Sequence, residues 1–231
     1  MYIKRFLIAL LASAPLLLPA VPRMALADSK WEYIGTWDGV KVSRKSVAGS
    51  DVMAFRGDIV APIHIGKLIA TFLDPAQRKF WVDRFADQKT LEMVNPLTEI
   101  YWIRFGLPFP ITDRDYVFRA EGSADAVHHV FTTKIKSVND PRKGEDDCCV
   151  RAVAYGTFYR FEALPGERTR MTVEVHTDPK GAIPDWLVNL IQKKWPSKTL
   201  SDLIRHASRP NSPVHPDYAN WHDAPAPTPA P

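Results

Sequence analysis

Cysteine is nearly absent from this chain: of 231 residues only Cys148 and Cys149 are cysteines, and they are neighbours. A bond between neighbours must close a tight ring, with the Cα atoms nearer than disulfides prefer. The favoured reading is two residues at a strand start whose side chains point to opposite sides. An oxidising compartment still admits a vicinal or intermolecular bridge. Enzyme signatures are missing as well. There is no Gly-x-Ser-x-Gly elbow, no phosphate-cradling glycine loop and no His-Glu-x-x-His zinc helix. His128 and His129 fall on an expected strand, where adjacent side chains diverge and cannot share one ion; Asp146 and Asp147 lie apart in a charged loop. Neither a metal nor a cofactor is expected, and no internal repeat is visible.

Acidic residues are missing from the first 27 positions, which hold Lys4, Arg5 and Arg23. Without those three cations the formal charge of +4 falls to +1, so the basic balance belongs mostly to this segment. Nucleic acid, which needs a clustered basic face, is not an expected partner. The segment itself reads as an address. A basic start is followed by the apolar run from Phe6 to Val21, and Ala25-Leu26-Ala27 fits the small-x-small cleavage pattern. Pro15 and Pro19 break the run, which makes it a poor spanning helix of about 20 residues. No cysteine near the cut supports a lipoprotein anchor. A signal peptide over 1–27, cleaved before Asp28, and a periplasmic product are therefore expected. The remaining 204 residues suit one domain, expected over 28–207 as a monomer. Residues 208–231 carry prolines at 210, 213, 216, 225, 227, 229 and 231. They read as a disordered tail whose deletion should leave folding intact, although Tyr218 and Trp221 offer aromatic anchors.

Between these ends, hydrophobic periodicity predicts strands at Val40 to Val42 and Met53 to Val60, then a helix over 62–73 with Ile65, Leu68, Ile69 and Phe72 on one stripe. A second short helix is expected from Arg78 to Phe85. From Thr90 onward the pattern is a β-meander: 91–94, 98–105, 116–121, 127–138, 150–164 and 169–177. Met171, Val173 and Val175 alternate with Thr172, Glu174 and His176 most clearly. A final helix spans 183–207, and Pro196 removes one of its donors and bends it. Asp83, Glu92 and Glu99 read as solvated charges. Arg114-Asp115 reads as an ion pair at a strand start that fixes the turn after Pro108 and Pro110.

The segment TEIYWIRFGLPFPITDRDYVF, from Thr98 to Phe118, combines a strand, a proline-containing turn and an Arg-Asp strand start. Trp81 precedes it, after a helix ended by Asp74-Pro75. DPKGAIPDWLVN, from Asp178 to Asn189, supplies a strand end, the Gly181 turn and a helix opened by Pro184, with a further proline along it. In this order and spacing the motifs resemble the START (steroidogenic acute regulatory-related lipid transfer) family over roughly 31–207.

That resemblance implies an α+β helix-grip fold: a curved antiparallel sheet gripping a long C-terminal helix around an internal hydrophobic cavity. It implies a carrier of one lipid (phospholipid, sterol or hopanoid) that touches a membrane surface transiently, without catalysis. Strand parity then assigns Tyr101, Ile103, Phe105, Tyr116, Phe118, Met171, Val173 and Val175 to the tunnel wall, with Trp186 and Leu190 as a helical lid. Enzymes occur among related helix-grip proteins, and for a cyclase or hydrolase the candidates are His64, His176 and Asp115 beside the cavity. A partner-binding domain using the proline-rich tail is the third reading.

Overall fold

The computed structural model describes residues 30–183 and 185–221; in the last helix, side chains are described at Val188 and from Gln192 onward. The expected leader over 1–27 and the tail beyond 221 lie outside the described residues. Three strands come first, β1 (Glu32–Trp37), β2 (Val40–Lys45) and β3 (Ala54–Ala61). Helix α1 (Ile65–Leu73), a 3-10 turn and the single-turn α2 (Arg78–Trp81) follow. The meander comprises β4 (Phe85–Asn95), β5 (Thr98–Phe105), β6 (Asp113–Asp125), β7 (Val130–Ser137), β8 (Cys149–Arg151), β9 (Val153–Leu164) and β10 (Arg168–Asp178). It leads into α3 (Asp185–Ala207). No helix among the described residues is long and apolar enough to cross a membrane.

The sheet runs β1-β2-β3-β10-β9-β7-β6-β5-β4, every neighbour antiparallel, with β10 joining the first three strands to the meander. Bulges bend it. β4 shifts register against β5 three times, and β10 shifts against β9 after His176. The resulting curved sheet with a long helix against one face is the expected helix-grip α+β architecture.

Local chemistry sets the helices. His64 caps α1, its Nδ1 accepting from Gly66 N at 3.0 Å, and Ile65, Leu68, Ile69 and Phe72 are all buried, as their spacing predicts. Asp74 ends α1 and accepts from Ala76 N at 2.9 Å to open the next turn. The helix expected to reach Phe85 stops at Trp81, because Arg84, at φ 59°, turns the chain into β4. Helix α3 continues unbroken through Pro196 and meets the sheet closely at Gly57 of β3. A Cβ at Gly57 would lie 2.8 Å from Pro196 Cβ and 3.1 Å from Val40, so only glycine admits this approach.

Four expectations are corrected. The strand expected over 150–164 is interrupted at Ala152. Residues 149–151 pair in parallel with Asp113–Asp115 of β6, and the chain then moves over to β7 as β9. His128 and His129 sit in the β6–β7 turn rather than on a strand, with His129 at φ 51°. Cys148, in a turn, and Cys149, the first residue of β8, are disulfide-bonded to each other with a Cα separation of 3.8 Å. Residues 208–221 are docked, not loose. His215 N donates to Gly66 O at 3.0 Å, Tyr218 packs edge-on to Phe131 at 6.0 Å, and Trp221 stacks on His129 at 5.4 Å. Both aromatics are buried, so deleting 208–231 should bare Phe131 and destabilise the domain.

Candidate functional site

One side of the grip is filled and the other is hollow. On the filled side, Met171 and Val173 of β10 are wholly buried in the cluster that includes Leu200 and Leu203 of α3. On the hollow side a cavity of about 180 Å³ lies between the sheet and the first half of α3. Tyr101, Ile103 and Phe105 of β5, Tyr116 and Phe118 of β6, and Val175 of β10 line it, where strand parity assigned them. Their rings form a connected wall: Tyr116 stacks on Phe118 at 4.9 Å, and Tyr101 and Phe105 meet the pair edge-on at 5.6 Å.

Met171 and Val173, assigned to the wall by the same alternation, are corrected. They share the face of Val175, but both are wholly buried in the core with Leu200 and Leu203 and do not border the cavity. The side chains of Trp186 and Leu190 lie outside the described residues. From α3, Val188, Gln192 and Trp195 reach the cavity.

The apolar wall carries a buried ion pair absent from the sequence reading. Arg78 of α2 and Glu99 of β5 are bound in two places, Nη1 to Oε1 at 3.3 Å and Nη2 to Oε2. Thr90 Oγ1 donates to Glu99 Oε1 at 2.6 Å, and the Arg78 guanidinium lies 4.0 Å over the Tyr101 ring. Burial opposes the Arg78 charge, but Tyr101 and Glu99 more than offset it and hold its pKa above the usual range. Glu99 is therefore no solvated charge, whereas Glu92 is half exposed and pairs with Arg142 at 2.8 Å. Asp83 lies at the cavity edge, with Arg84 at 3.5 Å and Lys198 at 3.7 Å. Burial pushes the Tyr101 and Tyr116 hydroxyls up to about 12, and raises Tyr159 further in the same direction.

Arg114 and Asp115 do not pair with each other, since successive strand residues face opposite sides. Asp115 faces outward, accepting from Trp102 Nε1 at 2.7 Å and from Arg151 at 2.9 and 3.0 Å under the 139–152 insert. Arg114 faces the cavity. It donates to Pro179 O at 3.1 Å, to Lys180 O at 3.0 Å and to Thr112 O, tying the β10–α3 connection to β6. Burial lowers its pKa. Beside it the β5–β6 loop ends in Phe109, which is 97% exposed next to the cis-linked Pro110.

The residues weighed for acid–base chemistry lie off the cavity wall: His64 caps α1, His176 Nε2 meets Ser50 Oγ at 3.0 Å, and Asp115 faces away. Asp146, Cys148 and Cys149 lie close together, but a disulfide removes the thiolates a metal would need. Arg78 gave no periodic signal because its helix is one turn long. Gln192 gave one: a polar residue four positions after Val188 and three before Trp195, in line with a buried helical stripe.

A family model described as START domain matches residues 23–209. Phosphatidylcholine transfer protein of Bos taurus is 23% identical over 189 residues, 79% of this chain and 86% of its own. An uncharacterized protein of Pseudomonas aeruginosa is 28% identical over 187 residues, 80% of this chain and 90% of its own. Among solved structures, human StAR-related lipid transfer protein 5 has a TM-score of 0.71 at 16% identity, covering 80% of this chain and 88% of that one. The STAR-related lipid transfer protein from Xanthomonas axonopodis has a TM-score of 0.69 at 22% identity, covering 78% and 99%. At these identities the structural likeness shows the fold.

Proposed function

The chain belongs to the START domain family, and from that premise we propose that it is an exported, periplasmic carrier that holds one lipid in the cavity beneath α3. The observation that carries this reading is the buried aromatic wall of Tyr101, Tyr116 and Phe118 with a buried Arg78–Glu99 pair set into it. An apolar wall takes up hydrocarbon at about 25 cal/mol per Å² removed from water. A few buried polar groups then orient what is bound. The relatives named for lipid or phosphatidylcholine transfer support a carrier over an enzyme. Export is supported by the leader pattern over 1–27 and by the Cys148–Cys149 bond, which an oxidising compartment sustains.

Volume decides how a lipid enters. A dry cavity of about 150 Å³ takes one benzene. At about 180 Å³ the cavity holds a ring or a short stretch of chain, far less than a two-chain lipid. Loading therefore requires the wall to move, and the first half of α3 is the movable wall. It meets the cavity rather than packed core, and Pro196 leaves the carbonyl of Gln192 without its helical donor. Phe109, exposed at the neighbouring loop, is the membrane-facing residue; burying it in a bilayer contributes about 1.5–3 kcal/mol.

Native mass spectrometry of the purified protein after exposure to phospholipid, sterol and hopanoid vesicles tests the reading. One lipid per chain is expected. A folded protein that takes up none of the three overturns it. N-terminal sequencing of the exported protein should begin at Asp28.

A further inference from the structure

Three buried polar atoms on the cavity wall have no hydrogen-bond partner among the described residues: Trp81 Nε1, Thr133 Oγ1 and Gln192 Oε1. The last belongs to a connected group. Gln192, 7% exposed, donates from Nε2 to Thr177 O at 2.9 Å. A backbone carbonyl can only accept, which fixes the amide orientation and leaves Oε1 as the unfilled acceptor. Thr177 Oγ1 donates to Val153 O at 3.2 Å, so the 3.0 Å contact with Tyr116 is donated by the tyrosine hydroxyl. The protons of both hydroxyls and one of the two amide protons are thus already committed, and Gln192 Oε1 is left as a buried acceptor without a donor.

Arg114 stands two residues before Tyr116 on the same face of β6, and its charge acts on the Tyr116 hydroxyl. Three of its five N–H groups hold the carbonyls of Thr112, Pro179 and Lys180, and its guanidinium is part of the cavity lining. Each nearby acid has its own cation: Asp178 is paired with Lys180 at 2.6 Å, Asp115 with Arg151 at 2.9 Å, and Asp113 lies 3.8 Å from Arg104. The corner is therefore cationic and rich in acceptors.

We infer that Arg114, Tyr116, Thr177 and Gln192 form a headgroup subsite for lipids with hydroxyl donors on an anionic phosphodiester, and that Gln192 is its specificity-determining residue. The inference rests on the carrier reading. An anionic phosphodiester answers the charge of Arg114, and a neutral hydroxyl donates to Gln192 Oε1. A quaternary ammonium has no hydrogen to donate and brings a second positive charge toward Arg114, so choline is disfavoured twice.

The test is competitive loading from vesicles of equal parts phosphatidylglycerol and phosphatidylcholine with matched chains, read by native mass spectrometry for wild type and Gln192→Leu. Wild type is expected to favour phosphatidylglycerol by roughly 10-fold, the scale of one hydrogen bond to an otherwise unpaired buried group. Gln192→Leu should lower the ratio several-fold, losing phosphatidylglycerol more than phosphatidylcholine, toward the residual preference set by the charge of Arg114. A wild type that loads both lipids equally overturns the subsite and leaves the carrier reading standing, whether or not the variant folds. A folded variant that keeps the wild-type ratio does the same. A folded wild type that loads neither lipid overturns this inference, and the carrier reading falls with it only if sterol and hopanoid are refused as well.

Discussion

Val173 and Val175 are two residues apart on one face of one strand, yet the first is sealed beneath α3 and the second borders an open space. The difference lies in what stands opposite. Val173 pairs with Gly57, whose missing side chain lets Pro196 and Leu200 settle onto the sheet. Val175 pairs with Phe55 and Thr157, and the helix above it presents Val188 and Gln192 across a void. One strand and one helix thus serve as both core and container, and their packed ends anchor the half proposed to move. A well-packed interior resists displacement, whereas a wall beside a void has fewer contacts to lose.

The sharpest way to break this comparison is to disturb the buried ion pair of the hollow end. Glu99→Gln strips Arg78 of its carboxylate in a buried place and should cost about 3–5 kcal/mol in urea unfolding. A cost under about 1 kcal/mol would mean that water reaches the pair. Alkali probes the same wall. Burial puts the Tyr101 and Tyr116 hydroxyls at about 12 in the fold, against an ordinary 10.0. The folded state therefore keeps its protons longer, and the associated stability is complete below pH 10 and lost as pH rises through 12. Each tyrosine should account for on the order of 3 kcal/mol of that loss. Tyr116→Phe should flatten stability against pH in that window, and an unchanged slope would show the ring to be wet.

The two valines sharpen the comparison directly. Val173→Ala removes two methyl groups from a filled site and should cost about 2–3 kcal/mol, the lost burial plus a new cavity. Val175→Ala only enlarges an existing space and should cost about 1 kcal/mol while altering lipid loading. Equal costs, with loading unchanged in both, would erase the distinction between packed and hollow ends. The smallest effect on the fold is expected at Phe109→Ser, within about 0.5 kcal/mol for an exposed position. The same change should weaken vesicle binding by roughly 10-fold or more, given the burial energy of a phenyl ring, and unimpaired binding would move the membrane contact elsewhere.

Much of this was legible in the chain before any coordinates. Alternation along β5, β6 and β10 identified one face of each strand, and the spacing of Ile65, Leu68, Ile69 and Phe72 identified α1, because these signals follow from backbone geometry alone. The run from Thr98 to Phe118 and the Asp178–Asn189 motif marked the family. Tyr101, Ile103, Phe105, Tyr116, Phe118 and Val175 were placed on the wall by parity. Parity could not separate Val175 from Met171 and Val173, because it reports which side a residue faces and not whether anything fills that side.

What only the tertiary structure decided involves partners far apart in sequence. Arg78 meets Glu99, Arg114 meets the carbonyls of Pro179 and Lys180, and Tyr218 and Trp221 return to Phe131 and His129. The proline-rich composition of 208–221 reads as an extended chain, but the segment forms turns and a short 3-10 helix (Pro216–Tyr218), tied to α1 at Gly66 and held by two aromatics. Local sequence determines which backbone forms and which side chains face inward, since those depend on steric and periodic effects within a few residues. Whether the inward face becomes core or cavity depends on how closely α3 approaches, and that is set by a glycine on β3 and a proline 139 positions later along the chain.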